Sequence, residues 1–260
     1  MTKNVALVLG SGGARGLAHI GGIEALEERG YTITSIAGCS MGSIIAGMYA
    51  AGQLKEAKEW FLSVDKQLIL RMMDINLLSV NSLVKGERII EELEKVVPDR
   101  PIESLNIPCS LVATDMIHSD EIVFRKGSLF EAVRASISIP LFFKPVQIGK
   151  RLLIDGGILN PLPLHVIERT PGDILVAADI SGKDSMPYDK RVTFVSLLDR
   201  MSDIQIQQNT LLSLRLTPPD VHSVMRQYAY NTFDFDKAEQ IIADGKRLMN
   251  EALDRYENKE

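Results

Sequence analysis

Apolar residues along this chain come in short unbroken runs, separated by amphipathic stretches that open and close on glycine. Val5-Ala6-Leu7-Val8-Leu9 is the first such run, the pattern of a strand buried on both faces. It ends in GSGGARG, after which LAHIGGIEALEERG carries apolar residues at helical spacing and stops at Gly30, a glycine stop. ITSIAGC reads as a second strand, and Ser40 to about Gly52 as a second helix. Strand, helix, strand, helix implies a parallel sheet covered on both faces.

From Leu54 to about Val97 the pattern is helical but less regular. Within it, the apolar stretch from Trp60 to about Val84 suits an acyl-channel wall or lid, and equally a buried helical subdomain, since Leu/Met-rich helices usually belong to cores. PCSLVATDM and EIVFR read as strands and Ser128 to Ala135 as a helix. LFFKPVQI and RLLID are predicted as short strands flanking a Gly-Lys turn. Leu162 to Arg169 resembles the start of a helix. GDILVAADI is another buried strand, and Phe194 to about Leu212 is helical. LSLRLTPPD is the candidate last strand, closed by Pro218 and Pro219, and FDKAEQIIADGKRLMNEALDRY an amphipathic terminal helix. With no repeat, low-complexity tract or linker in view, residues 1–260 read as a single domain, a length one core can serve.

Composition narrows the classes. Charged residues make up 24% and the net charge is −5, with no basic cluster, which argues against nucleic acid as a partner. Cys39 and Cys109 lack metal-ligand or CxxC spacing and read as reduced thiols. His19, His118, His165 and His222 are scattered without zinc-site spacing. The N-terminus lacks the apolar length of a signal peptide, and no apolar run approaches a membrane span. The expectation is a soluble cytoplasmic protein that meets membranes, if at all, from the periphery.

Three places are able to carry chemistry. In Gly10-Ser11-Gly12-Gly13-Ala14-Arg15-Gly16, glycines let backbone N–H groups approach an anion at a helix start. A dinucleotide site is disfavoured there, because Arg15 takes the third-glycine slot and the second strand ends at Gly38-Cys39-Ser40 without a carboxylate for a ribose. The turn is either a tight connection or a cradle for a developing oxyanion. Gly38-Cys39-Ser40-Met41-Gly42 fits the strand-to-helix elbow that exposes a nucleophilic serine; Ser40 also suits an ordinary helix N-cap. Asp155-Gly156-Gly157 places a carboxylate at a strand end, or is a common Asp-Gly turn.

Taken together and in this order, GSGGARG, GCSMG and DGG resemble the patatin-like phospholipases. ASISIP (Ala135 to Pro140) is similar to a further block of that family, and DFDKAEQIIADG resembles its bacterial subgroup related to the neuropathy target esterase catalytic domain. The resemblance implies a three-layer α/β/α fold with a mostly parallel central sheet, and hydrolysis of phospholipid or lysophospholipid acyl esters without metal or other cofactor. It implies Ser40 as nucleophile, Asp155 as general base, and an oxyanion hole from the amides of Gly12 and Gly13, helped by Ala14. Lipid is then the expected partner. Arg15 would either draw in a lipid phosphate or brace the loop. The competing readings are a Ser-His-Asp esterase using His165 or His222, and a non-catalytic lipid-binding protein of the same fold; His19 is read as packing beside the Gly-rich turn.

Overall fold

The computed structural model describes residues 3–64, 87–140, 142–183 and 193–258. Its strands are β1 (Asn4–Leu9), β2 (Thr32–Cys39), β3 (Cys109–Asp115), β4 (Asp120–Phe124), β5 (Val146–Ile148), β6 (Arg151–Asp155), β7 (Ile174–Gly182) and β8 (Val221–Arg226). Among the described residues the helices are α1 (Ala18–Glu28), α2 (Met41–Ala50), α3 (Leu54–Ser63), α4 (Glu87–Glu94), α5 (Leu129–Ser136), α6 (Phe194–Leu216) and α7 (Ala238–Glu257). The strands form one sheet in the order β5-β6-β3-β2-β1-β7-β8, with β4 also paired to β3. From β3 to β8 neighbours run parallel, while β4, β5 and β6 form antiparallel pairings at one side.

Alternation in β1 divides the core. Val5, Leu7 and Leu9 join Ile20 and Ile23 of α1, Ile44 and Ile45 of α2 and Ile241 of α7 on one face. Ala6 and Val8 turn to the other, against Leu162, Leu164 and Val166, with Leu214 of α6 packed on that cluster. This is the period-two geometry of a strand covered on both sides. The central sheet is therefore mostly parallel and lies between layers, but the second face is covered partly by the irregular segment around 160–167.

One feature of the sheet positions the site. Along one edge β3 pairs with β4; the opposite edge is shared in tandem, first by β2 and then by β6. Val112 stands opposite Cys39, and the next residue, Ala113, opposite Asp155. The end of β2 and the end of β6 thus meet at adjacent residues of β3.

Several sequence expectations change. The helix after the Gly-rich turn opens as a 3₁₀ turn, Gly13–Leu17, before α1. LFFKPVQI supplies only the three residues of β5. Leu162–Arg169 is not a helix but a single 3₁₀ turn, Leu164–Val166; Pro161 and Pro163 withhold amides and bias their predecessors away from helix. The strand sought in LSLRLTPPD is the last turn of α6, which runs to Leu216. The last strand is β8, where Val221, Ser223 and Met225 point inward; a serine on the buried face hides its alternation. Of the suggested lid, Trp60–Val64 belongs to α3 and its cap, and residues 65–84 lie outside the described residues.

Candidate active site

The elbow explains both glycines of GCSMG. A Cβ on Gly38 would overlap the carbonyl of Gly42, and one on Gly42 would overlap the carbonyl of Leu9 in β1. The chain turns from β2 into α2 with Ser40 at φ 54, ψ −122, a region costing a non-glycine residue roughly 1–3 kcal/mol. Its side chain makes no cap hydrogen bond to the helix. Instead Ser40 Oγ donates to Asp155 Oδ2 at 2.6 Å, across 115 positions of sequence.

Asp155 is 5% exposed. Its other oxygen, Oδ1, accepts the amide of Gly157 at 2.7 Å. Burial raises its pKa to about 6, against the opposing pull of the Ser40 hydroxyl and the Gly157 amide. Desolvation disfavours the charged carboxylate and so makes it a more avid proton acceptor. Gly156 lies too close to the carbonyl of Val112 to carry a Cβ, and Gly157 sits against Ser11 Oγ, so both glycines let the Asp155 loop lie on β3 and the Gly-rich turn.

The Gly-rich turn is held from all sides. The amide of Gly10 donates to Ala178 and that of Ser11 to Pro161. His19 Nε2 donates to the Gly10 carbonyl at 2.8 Å. Burial pulls the His19 pKa down to about 4, with the Gly10 carbonyl and the Asp179 charge opposing, so the ring is neutral near pH 7. Its Nδ1 is a buried acceptor with no partner among the described residues. Gly16 faces the side chain of Met41, locking the turn to the elbow.

The amide of Ala14 donates to the carbonyl of Thr232 at 2.9 Å, which removes Ala14 from the expected oxyanion donors. The Ser40 amide is also occupied, by Ser136 Oγ at 2.9 Å. The amides of Gly12 and Gly13 have no acceptor among the described residues. Gly13 adopts φ +56 and presses against Thr232; both facts call for glycine. Arg15 does not reach for a phosphate. It is buried, donating from Nε to Ile180 and from Nη1 to Tyr230, both through backbone carbonyls.

An apolar pocket opens over Ser40 and Gly13, about 680 Å³ counted out to its open mouth, walled by residues such as Trp60, Phe61, Ile137, Phe143, Phe233 and Phe235. Among the described residues, every titratable group is absent from its lining.

No histidine hydrogen-bonds to Ser40 or Asp155 among the described residues. His165 pairs with Glu121 at 2.9 Å, His222 with Asp179 at 3.3 Å, and His118 with Asp115 at 2.7 Å. Cys39 and Cys109 are buried free thiols whose pKa values burial pushes up, that of Cys109 to about 12. Among the described residues no three His, Cys, Asp or Glu are grouped to hold a metal, and no helix is long and apolar enough to cross a membrane.

The ASISIP block was singled out by resemblance but without a role, and the loop after β8 was not singled out at all. The ASISIP block acts by backbone and hydroxyl: Ser136 holds the Ser40 amide, the Ser138 carbonyl takes the Asp155 amide at 3.0 Å, and Ile137 and Ile139 line the pocket. The period-two spacing of Ser136 and Ser138 was the available signal. Thr232, Phe233 and Phe235 carried none, since they reach the pocket from a loop after the last strand.

The fold and pocket define an α/β protein whose mostly parallel sheet carries, at a strand-to-helix elbow, a serine bonded to a buried carboxylate. The sequence model of the patatin-like phospholipases matches residues 7–167. An uncharacterized NTE family protein of Mycobacterium tuberculosis is 44% identical over 186 residues, 72% of this chain and 51% of the relative. The human patatin-like phospholipase domain-containing protein 6 is 35% identical over 189 residues, 70% of this chain but 14% of that protein. The chain thus spans about half the length of this mycobacterial relative and of its Mycobacterium bovis counterpart. VipD from Legionella pneumophila shares the fold, with a TM-score of 0.51 at 16% identity over 98% of this chain and 67% of that one. The chain belongs to the patatin-like phospholipase family.

Proposed function

We propose that the protein is a serine lipid acyl hydrolase in which Ser40 and Asp155 act as a dyad. The observation that carries this reading is the 2.6 Å hydrogen bond from Ser40 Oγ to Asp155 Oδ2 at the floor of an apolar pocket. Family membership supports lipid ester hydrolysis in general; the roles of the two residues are read from geometry.

Serine attacks poorly unless its proton leaves as it attacks. Asp155 takes that proton while Oγ bonds to the ester carbonyl carbon, and the carbonyl oxygen becomes an oxyanion facing the amides of Gly12 and Gly13. Collapse breaks the carbon–oxygen bond to the alcohol, which receives the proton from Asp155. Water then attacks the acyl-enzyme, giving a proton to Asp155, and collapse breaks the bond to Ser40 Oγ, which takes that proton back as the carboxylic acid leaves. Oxyanion donors of this kind contribute about 2.7–4 kcal/mol each when removed singly. The chemistry requires neither metal nor nucleotide.

The substrate is an ester of a phospholipid or lysophospholipid, drawn from a lipid surface. Two features favour that source: the pocket is apolar, and Met116 and Ile117 are 51% and 55% exposed. They follow the carboxyl end of β3 as Ser40 follows that of its parallel neighbour β2, so they stand at the same end of the sheet.

The test is fluorophosphonate labelling with a lysophospholipid and phospholipid panel presented as micelles and vesicles. Wild-type protein should label and release fatty acid, and Ser40→Ala should do neither. Equal labelling of Ser40→Ala removes Ser40 from the mechanism.

A further inference from the structure

The loop after β8 touches both halves of the site. On one side Phe233 and Phe235 wall the pocket. Phe233 meets Phe142 edge-on with centroids 5.2 Å apart, and Phe235 stacks on Phe61 at 6.4 Å. The chain has a single Trp and eight Phe; Trp60 and four of those Phe (61, 143, 233 and 235) line this pocket. Such convergence marks an aromatic wall built for contact, since large side chains bury the most area per residue.

On its other side the same loop touches the Gly-rich turn. The Thr232 carbonyl accepts the Ala14 amide at 2.9 Å, and Thr232 leaves no room for a Cβ on Gly13. The loop is anchored at each end. Arg15 holds the Tyr230 carbonyl at 2.9 Å and the Tyr230 hydroxyl bonds Asp244 of α7 at 2.6 Å. Asp234 accepts the Asn231 amide and pairs with Lys237 at 2.7 Å. Between those anchors Thr232 and Phe233 are placed by what they touch: pocket contents on one side, the turn bearing the Gly12 and Gly13 amides on the other.

We infer that the segment 231–235 determines acyl-chain selectivity, and that it expresses this selectivity in kcat as well as in KM because an acyl chain pressing on Phe233 and Phe235 also seats Thr232 against Gly13. The inference rests on the reading of Ser40 and Asp155 as a catalytic pair. Phe233 and Phe235 contact the acyl chain and set specificity; Thr232 is a positioning residue, acting through the turn. The segment lies outside residues 7–167, which match the family sequence model.

The experiment is a series of p-nitrophenyl esters from acetate to dodecanoate with wild-type, Phe233→Ala, Phe233→Leu and Phe235→Ala proteins, kcat and KM being measured separately and folding checked by melting temperature. For wild type, kcat/KM should climb by roughly fourfold per methylene until the pocket is filled, with part of the climb in kcat. Phe233→Ala and Phe235→Ala should each lower the octanoate-to-acetate ratio of kcat about tenfold, and Phe233→Leu should restore most of it. An octanoate-to-acetate ratio of kcat/KM unmoved in both alanine variants, with hydrolysis still dependent on Ser40, overturns the inference and leaves the dyad reading intact. Hydrolysis that persists in Ser40→Ala overturns both. A change confined to KM in folded variants rejects the coupling to the turn.

Discussion

The amide of Gly157 donates to Oδ1 of Asp155 at 2.7 Å while Oδ2 receives the Ser40 hydroxyl. Both oxygens of the carboxylate therefore act as acceptors, and the loop fixes which one faces Ser40. An asparagine has one acceptor for two donors. In Asp155→Asn the amide either turns its NH₂ toward Ser40 or leaves the Gly157 amide unpaired, and in neither orientation does it accept a proton. We expect kcat to fall about 10³-fold or more with the circular-dichroism spectrum retained. A folded variant that keeps a tenth of the activity would remove Asp155 as the base.

The pKa of Asp155, about 6, has consequences of opposite sign for activity and stability. As a base it must be ionised, so kcat/KM should fall as pH drops through about 6. For stability, a carboxylate with a folded pKa above its unfolded value binds its proton more tightly when folded. Its contribution is full below about 4 and is lost as pH rises through 6, amounting to roughly 3 kcal/mol. Asp155→Asn should therefore be more stable than wild type at pH 8, with the gap closing toward pH 4. Denaturant titrations at the two pH values decide it.

Gly13 combines φ +56 with contact against Thr232. Gly13→Ala should lower kcat at least tenfold, about 1.4 kcal/mol of barrier, while KM for a short ester changes little. Normal turnover in a folded Gly13→Ala protein would show that the turn is structural only.

The histidines divide into two groups. His118, His165 and His222 are bound to carboxylates other than Asp155, so alanine at each should leave kcat within about tenfold. His19 is different, because its Nε2–H holds the Gly10 carbonyl at the head of the turn. His19→Ala should lower both stability and kcat, and His19→Gln, which offers an N–H at similar reach, should recover most of the loss. A thousandfold loss in folded His165→Ala or His222→Ala would instead favour a triad.

Legibility followed sequence distance. The junctions at Gly10–Gly16 and Gly38–Gly42 could be read because each is a local problem of backbone clearance that only glycine solves, written within one strand-turn-helix unit. That Ser40 would meet Asp155 was reachable only through family resemblance; physically it depends on β3 sharing one edge between β2 and β6, which no local pattern encodes. Ser136 and Thr232 were missed for a related reason. Each serves a residue far away in the chain, Ser136 through its hydroxyl and Thr232 through its carbonyl. β8 was missed because Ser223 occupies an inward position where alternation calls for an apolar side chain.

The backbone of Ser40, at φ 54 and ψ −122, sets the interests of folding against those of chemistry. Glycine alone occupies that conformation without penalty, so Ser40→Gly should unfold at higher denaturant than Ser40→Ala, by about 1 kcal/mol, both variants having lost the hydroxyl that donates to Asp155 and neither hydrolysing esters. On the proposed mechanism, the nucleophile stands at a position whose backbone favours glycine.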